Sequence, residues 1–562
     1  MAQSTPPPSA GVPQDLGRGQ LEQNLPDKTP AQAPRVSVDS RQALPQTPCA
    51  LDQSSLRINL QRLALTRSDG SALPPELVRL LAGVDADLHG DHPIAVVCTI
   101  RDRINERLDG AGYVALAQVP AQKIDDGTLH MEIVTARIVA PVRIVGDAGH
   151  YAPQLERAIA RIRALDPLNR LEAERILLLM RDIPGLDVNL SLSAASGADT
   201  RPGDVIGTMT VATRRFAVLA NMQNFGSRAL GRWIGSVRVE AYGLTGLSDR
   251  TYVGYSNSTD WNEVRVAQVG HDFALTDSGL RLGLRGSFAW SRPTIPSLDL
   301  RSRSIIAGLD LTYPLLRSLR NNVVGGIGFE AIEQQSHIRS GSVNVPFTLD
   351  RTRVFYARLD ASSQFGGATR NLFQLRNVAE VRKGLNVFNP TRLGVATADG
   401  APSRFYGDPQ AVVLKDELNV LVKPRGPAEL NLAAFGQWSS DPLLNLEEFS
   451  LGNFTHGRGY DPGSNGGDHV YGFTAEPRVQ LPVPGVNVAA SAFYDWVRII
   501  NTDPGTVNAR RTLRSVGGGL RFILQRRLVL DVTYAHPLDK AQINDVAKPA
   551  DRVLVSLTAK IF

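Results

Sequence analysis

From about Arg214 to Phe562, apolar and polar residues alternate in segment after segment, with turn residues between them. In Leu280–Trp290 the even positions are Leu280, Leu282, Leu284, Gly286, Phe288 and Trp290; the odd ones are Arg281, Gly283, Arg285, Ser287 and Ala289. In Val470–Leu481, Tyr471, Phe473, Ala475, Val479 and Leu481 share one face, and Thr474, Glu476, Arg478 and Gln480 share the other. Leu528, Leu530, Val532 and Tyr534 oppose Asp531 and Thr533 in the same way. A period of two puts successive side chains on opposite faces of a strand. A sandwich also alternates, with its polar face outward. Here Tyr and Trp lie near strand ends on the apolar stripe, which suits a lipid-facing wall with interfacial aromatics. About sixteen segments follow the pattern, near 214–223, 230–243, 248–257, 262–274, 279–291, 299–313, 319–334, 347–364, 368–382, 404–421, 427–440, 469–482, 485–499, 511–524, 526–537 and 551–562. An even count suits a bacterial single-chain barrel, and sixteen strands leave a wide lumen. Residues 214–562 are therefore predicted to be a transmembrane antiparallel β-barrel of about 16 strands, although an aromatic content of 6% is low for such a wall.

The preceding residues follow another rule. Residues 1–48 carry nine prolines and little apolar content, and read as an arm or linker. A short helix around Gln14–Leu25 is weakened by Gly17 and Gly19. In residues 49–136, Leu56, Ile58 and Leu60 alternate as a strand would, and Pro74–Leu81 reads as a helix with proline in its first turn. Ile100, Ile104 and Leu108 mark a second helix that ends at Gly110 and Gly112. Val114–Val119 and then Leu129, Met131 and Ile133 read as strands. Residues 137–213 repeat the order, with a strand at Val142–Val145, helices at Leu155–Ile162 and Leu171–Met180, and strands at Val188–Leu192 and Gly207–Val211. Two successive units with the same βααββ order form a tandem pair, so the N-terminal part is α+β.

Composition narrows the function. The net charge of +6 is spread along the chain without a Lys/Arg block, so no nucleic-acid partner is expected. No run approaches 18 apolar residues, which excludes helical membrane spans but not a barrel. The two cysteines, Cys49 and Cys98, admit one disulfide in an oxidising compartment or two buried unpaired thiols. Met1–Ala50 lacks a basic start followed by an apolar run, so either the chain is cytosolic or a signal peptide has been removed, and the expected membrane barrel favours removal. His89-Gly90-Asp91-His92 has no further metal-ligating residues nearby and reads as a surface loop. Gly325-Gly326-Ile327-Gly328 lacks the dinucleotide-binding spacing and reads as glycine in a crowded strand. Glu447-Glu448 reads as a solvated loop pair. No catalytic constellation, cofactor or metal is expected.

One tract carries candidate chemistry. Phe454-Thr455-His456-Gly457-Arg458-Gly459-Tyr460-Asp461-Pro462-Gly463 sets a single arginine among glycines, between two strand segments. An arginine on such a loop can fold back into an enclosed space and meet a carboxylate there. Phe493-Tyr494-Asp495-Trp496 supplies one: on Val486–Arg498 the apolar face holds Val488, Ala490, Ala492, Tyr494 and Trp496, so Asp495 points into the lumen with Asn487 and Ser491. Arginine offers a fork of donors and keeps its charge.

Taken together, these tracts resemble the two-partner secretion outer-membrane transporters, the TpsB family of haemolysin-activator and filamentous-haemagglutinin exporters. Asn105-Glu106-Arg107-Leu108-Asp109-Gly110-Ala111-Gly112-Tyr113-Val114 matches the first POTRA domain of that family. Leu168-Asn169, Leu171-Glu172 and Leu177-Leu178-Leu179 match the second, and Asn224–Arg228 with Gly231 match the start of the barrel. Arg458-Gly459-Tyr460 matches the signature loop between the eleventh and twelfth strands; the family usually has valine where this chain has Gly457. Phe493 and Asp495 match the motif on the thirteenth strand that receives the arginine, and Cys49 and Cys98 match paired cysteines of the first POTRA domain, which implies a disulfide. The resemblance implies a bacterial outer-membrane protein with POTRA domains at 49–136 and 137–213 in the periplasm. These would take an unfolded secreted exoprotein and pass it through the barrel at 214–562, with possible activation on export. Its implied partners are that exoprotein, outer-membrane lipid and the barrel-assembly machinery. The family often has an N-terminal helix that plugs the barrel. Two other readings compete: a barrel-protein insertase of the same superfamily, and a diffusion porin with periplasmic domains.

Overall fold

Each alternating segment pairs with its sequence neighbours, and the last pairs with the first. The structure is a computed structural model and describes residues 16–22, 38–44, 49, 51, 54–124, 126–197, 199–366, 371–452, 456–462, 465–506, 509–525 and 527–561. Phe454, Thr455, Gly463 and the terminal Phe562 lie outside the described residues. Sixteen antiparallel strands close the barrel. They are β1 (Phe216–Gln223), β2 (Ile234–Tyr242), β3 (Arg250–Ser258), β4 (Val264–Ala274), β5 (Arg281–Ser291), β6 (Leu298–Arg317), β7 (Asn321–Ser340) and β8 (Val343–Phe365). The second half is β9 (Leu372–Gly384), β10 (Val412–Lys423), β11 (Ala428–Ser439), β12 (His469–Leu481), β13 (Asn487–Ile500), β14 (Arg510–Leu524), β15 (Leu528–Pro537) and β16 (Arg552–Lys560). A two-residue piece, Thr294–Ile295, extends the β5–β6 hairpin. The seam runs from Leu219↔Lys560 to Gln223↔Ser556, and there the Asn221 amide donates to Ser556 Oγ (3.0 Å) and Thr558 Oγ1 (2.9 Å).

The alternation resolves into two environments. Glu330, Gln334, Arg382, Gln437, Thr474, Asp495 and Asp531 are buried on the inner face. Val253, Leu284, Ile327, Phe355, Val381, Leu432, Phe473 and Val553 are exposed on the outer face. Apolar outside and polar inside is the pattern of a barrel solvated by lipid. The few aromatics are placed economically, with Trp290, Trp438, Tyr471 and Tyr534 all exposed on the wall. The predicted segments and the strands differ by a few residues, except that the tenth strand begins at Val412 and residues 404–411 are loop. The glycine tract in β7 is crowded, since a Cβ on Gly328 would lie 2.4 Å from Tyr356 Oη and 2.8 Å from the Leu309 carbonyl.

A second compact unit spans residues 32–214 with 317–319. Its first module has a sheet of Arg62–Arg67, Thr128–Thr135 and Ala115–Gln118, the outer two parallel and antiparallel to the central one. Two helices, α1 (Pro75–Leu81) and α2 (Val96–Gly110), cover it through Leu77, Leu81, Ile100, Ile104 and Leu108. Cys49 and Cys98 are joined by a disulfide. The second module repeats the plan, with α3 (Ala152–Arg163) and α4 (Arg170–Arg181) over Leu186–Ala194 and Asp204–Thr213. Asn169 caps α4 by accepting from Leu171 N (2.9 Å), a contribution of about 1 kcal/mol. The same side chain donates to the Ala111 carbonyl (3.1 Å), beside Gly112, whose φ of +84° and 2.5 Å distance from a built Cβ to Leu171 Cγ exclude other residues.

The arm differs from its reading as linker in two places. Val38–Gln42 pairs in parallel with Leu186–Ala194 as an added strand of the second module's sheet. Arg18–Leu21 forms one helical turn inside the barrel unit. Proline-rich flanks hid both, because a four-residue helix and an edge strand are too short to show a period.

Candidate functional site

The connection between β11 and β12 folds back into the lumen. Gly452 permits the turn at φ +93°, where a Cβ would lie 2.6 Å from Asp461 and Pro462 backbone atoms, and Gly457 continues it at φ +67°. Gly459 lets the loop press on the wall: a Cβ there would sit 2.9 Å from Ser515 Cβ and 3.1 Å from Pro537 Cα. Tyr460 anchors the tip. Its ring is fully buried among Phe435, Leu451, Val497 and Leu513; its hydroxyl donates to the Arg514 carbonyl (2.8 Å) and accepts from Asp539 N (3.1 Å). The Arg552 guanidinium, on β16, donates to the Tyr460 carbonyl.

These anchors aim Arg458 at β12 and β13. Its Nε and Nη2 donate to Asp495 (3.1 and 2.8 Å), its backbone N–H adds a third bond to the same carboxylate (3.1 Å), and Nη1 reaches Glu476 (2.6 Å). Asp495 is 0% exposed and Arg458 4%. Thr474 Oγ1 (3.0 Å) and Ser515 Oγ (3.1 Å) complete the carboxylate, giving it five donors for about four lone-pair sites. The Phe493 ring lies under the guanidinium, 3.5 Å from centroid to Cζ, a cation–π contact. Gly517, opposite Phe493 on β14, makes the room: a Cβ there would lie 2.5 Å from the phenyl ring. The structure thus brings together Gly457, Arg458, Gly459, Tyr460, Phe493 and Asp495. A cavity of about 170 Å³ adjoins the pair, lined by Arg458, Glu476, Arg478 and Asp531 among others.

A second polar knot holds the N-terminal turn. Arg18 donates to Glu330 on β7 (2.6 Å) and to Glu447 (3.1 Å). Arg382 on β9 bonds the same two acids (2.6 and 2.9 Å), and Arg285 on β5 pairs with Glu330, Glu22 and Asp310. Leu16 and Leu21 pack on Val264, Ala289, Ile306 and Ile332 of the inner wall. Glu447 is therefore not a solvated loop residue. It is 6% exposed, and a buried ionised carboxylate requires hydrogen-bond donors or a cation, which Arg18 and Arg382 supply. Glu448 is likewise engaged, accepting from Arg404 (2.8 Å). Sequence reasoning missed Glu330, Arg382, Arg18 and Glu476; the one available signal was a charged residue on the polar phase of a barrel strand, which marks the lumen but not the partner.

A closed sixteen-strand barrel, apolar outside and polar inside, with a lumen occupied by its own loop and an α/β N-terminal unit, defines an outer-membrane β-barrel channel. The sequence model of the family described as "Haemolysin secretion/activation protein ShlB/FhaC/HecB" matches residues 205–522, more than half of the chain, and the protein belongs to that family of two-partner secretion transporters. It is 21% identical over 497 residues to the heme/hemopexin transporter protein HuxB of Haemophilus influenzae strain 86-028NP, covering 84% of this chain and 82% of that one. It is 24% identical over 524 residues to the outer membrane transporter CdiB-2 of Burkholderia pseudomallei strain 1026b, covering 88% and 80%. Two solved structures share the fold: CdiB from Escherichia coli (TM-score 0.68, 17% identity, 92% and 93% covered) and CdiB from Acinetobacter baumannii (0.67, 16%, 96% and 96%). The protein is an outer-membrane transporter that exports a partner exoprotein.

Proposed function

We propose that the two N-terminal modules are periplasmic POTRA domains that receive the exoprotein unfolded, by adding its extended chain to a sheet edge, and that the chain then crosses the barrel lumen and folds outside. Arg458 holds the β11–β12 loop in the lumen against Asp495 and Glu476, and the turn at Arg18–Leu21 fills the other side of the lumen at rest. The barrel itself is inserted by the cell's barrel-assembly machinery. The observation that carries this reading is the buried arginine, with four hydrogen bonds to two wall carboxylates inside a polar lumen. A loop that must be held and released accounts for this buried charge. One relative is named as a heme/hemopexin transporter protein; the cargo proposed for this chain is a secreted polypeptide, its partner exoprotein. The test compares culture medium from cells with the protein, without it, and with Arg458→Ala. One large polypeptide lost in the last two, with other outer-membrane barrels unchanged, is the expected result. An unchanged medium with depleted barrels would point instead to an insertase.

A further inference from the structure

The outer wall carries a charged cluster that export through the lumen does not use. Arg265 on β4 faces Trp290 on β5, and Trp290 faces Arg303 on β6, as direct register partners across three strands. The flanking residues Val264, Val266, Ala289, Ser302 and Ser304 are buried on the inner side, so this trio points outward. Trp290 is 48% exposed, and both arginines are exposed. With neighbouring strands about 4.8 Å apart, the two guanidinium stems stand about 10 Å apart on either side of one indole.

The trio sits at one end of the wall. β4 has only just begun at Arg265 and β5 is about to finish at Trp290. Further along the same three strands the outward face is apolar, with Val269, Leu284, Phe288 and Leu309 all exposed. Since neighbouring strands alternate in direction, this is the end that also carries the β11–β12 connection, and the end opposite the start of β1. With the N-terminal modules in the periplasm, as proposed above, it lies in the outer leaflet.

The charge there is in excess. Arg265 donates to the Trp261 carbonyl (2.9 and 2.6 Å), and among the described residues no carboxylate is in ion-pair contact with Arg265 or Arg303. The acids of this rim are already engaged: Asp299 accepts from Arg292 (2.9 Å) and Arg301 (3.2 Å), Glu263 accepts from Thr294 Oγ1 (2.9 Å), and Asp260 accepts from Ser258 Oγ (2.7 Å). Four guanidiniums thus face three carboxylates at a rim next to acyl chains, where cations without anions are costly. Arginine forks match phosphate oxygens two at a time, and tryptophan is at home at headgroup level.

We propose that Arg265, Trp290 and Arg303 form a binding site for the phosphorylated headgroup of an outer-leaflet glycolipid. The two forks clasp a headgroup phosphate, and the indole packs against the sugar and first acyl carbons. The site tethers the β4–β6 wall to its lipid and is separate from the lumen.

The test is native mass spectrometry of the full chain in detergent, titrated with bis-phosphorylated lipid A, phosphatidylethanolamine or inorganic phosphate. The expected result is lipid A bound in preference to phosphatidylethanolamine, no displacement by inorganic phosphate, and at least a tenfold weaker lipid A affinity in Arg265→Gln/Arg303→Gln. Arg498→Gln, an arginine elsewhere on the wall, should leave that affinity unchanged. Heat-modifiable gel mobility checks that each variant is a folded barrel; if the double variant is not, the single Arg303→Gln carries the test with a threefold loss. Equal lipid A binding by the folded variant, an equal loss in Arg498→Gln, phosphatidylethanolamine binding as tight as lipid A, or displacement by inorganic phosphate would each overturn the proposal. None of these readouts depends on export, so a failed secretion assay leaves this site standing, and the reverse.

Discussion

Arg458→Ala deletes three of the four hydrogen bonds made by this residue; only the backbone N–H still reaches Asp495. The fully buried Asp495 carboxylate is left with the Thr474 and Ser515 hydroxyls and no cation. Glu476 keeps Arg478 at 2.7 Å, so most of the loss falls on Asp495. Breaking a buried pair from one side costs about 3–5 kcal/mol, and water in the lumen puts this case at the lower end, about 3 kcal/mol. Since every 1.4 kcal/mol is about tenfold, the undocked loop should gain about two orders of magnitude in population. Hydrogen exchange of the backbone amides at positions 458 and 460 in the full chain reads that opening directly. Asp495→Asn keeps an acceptor without the charge and should lose less. In the double variant Arg458→Ala/Asp495→Ala the losses should fall short of the sum by about 1–3 kcal/mol, because the two residues share one interaction. Additive losses, or unchanged exchange in both single variants, would refute the claim that this pair holds the loop.

Removing the N-terminal knot should open the lumen: Arg18→Ala or Glu330→Gln is expected to raise single-channel conductance in planar bilayers, and wild-type conductance in both would refute the resting-state role of that turn. Gly517→Val should clash first with the Tyr534 carbonyl at 2.0 Å and then with the Phe493 ring at 2.5 Å, so it should strain the β14–β15 pairing and lower the level of folded barrel, read by heat-modifiable gel mobility; wild-type levels would refute the crowding at this position. Gly112→Ala combines a left-handed φ with a 2.5 Å contact to Leu171 and should destabilise the N-terminal unit by about 1–3 kcal/mol in urea unfolding of the full chain. Replacing Cys49 and Cys98 by serine frees a loop with a sequence separation of 49, a loss of about 4 kcal/mol in the chain-entropy model. An unfolding midpoint insensitive to reductant would show that this crosslink contributes little.

The barrel was legible because its signal is repeated sixteen times and does not depend on any one residue. Period two survives errors of several residues at each boundary, as the shift of the tenth strand to Val412 shows. The tandem modules were legible for a similar reason, since Ile100, Ile104 and Leu108 and their counterparts Leu155 and Ile162 are all buried at helical spacing. Arg458 and Asp495 could be paired in advance because Arg458-Gly459-Tyr460 and Phe493 with Asp495 match the two motifs of the family the chain resembles; strand phase alone left Glu476 equally eligible, and it proves to be the second partner. Glu447 was misread for a physical reason. Loop acids are normally hydrated, and only the inverted solvation of a barrel, where the enclosed side is the polar one, makes burial of such a residue favourable. Its partners Arg18 and Arg382 lie 429 and 65 residues away, beyond the reach of any local pattern.

The position of Glu447 also explains how the two polar knots relate. The β11–β12 connection supplies Glu447 to Arg18 and Arg382, Arg458 to Asp495 and Glu476, and Glu448 with Asp468 to Arg404 on the β9–β10 connection. Arg404 in turn bonds Asp503 on the β13–β14 connection (2.8 Å). Besides the Tyr460 anchors, one loop is thus tied at these three places through arginine forks, each shared between at least two carboxylates. A fork shared in this way can give up one carboxylate and keep the other, so each tie loosens in steps and does not fail at once. A purely apolar plug of the same size would be non-directional and would resist a passing hydrated chain along its whole surface. A polypeptide in transit carries its own amides and charges, which can replace these partners one at a time. Buried charge in this lumen is therefore better understood as a set of exchangeable contacts than as a source of barrel stability, which the ladder of sixteen strands already provides.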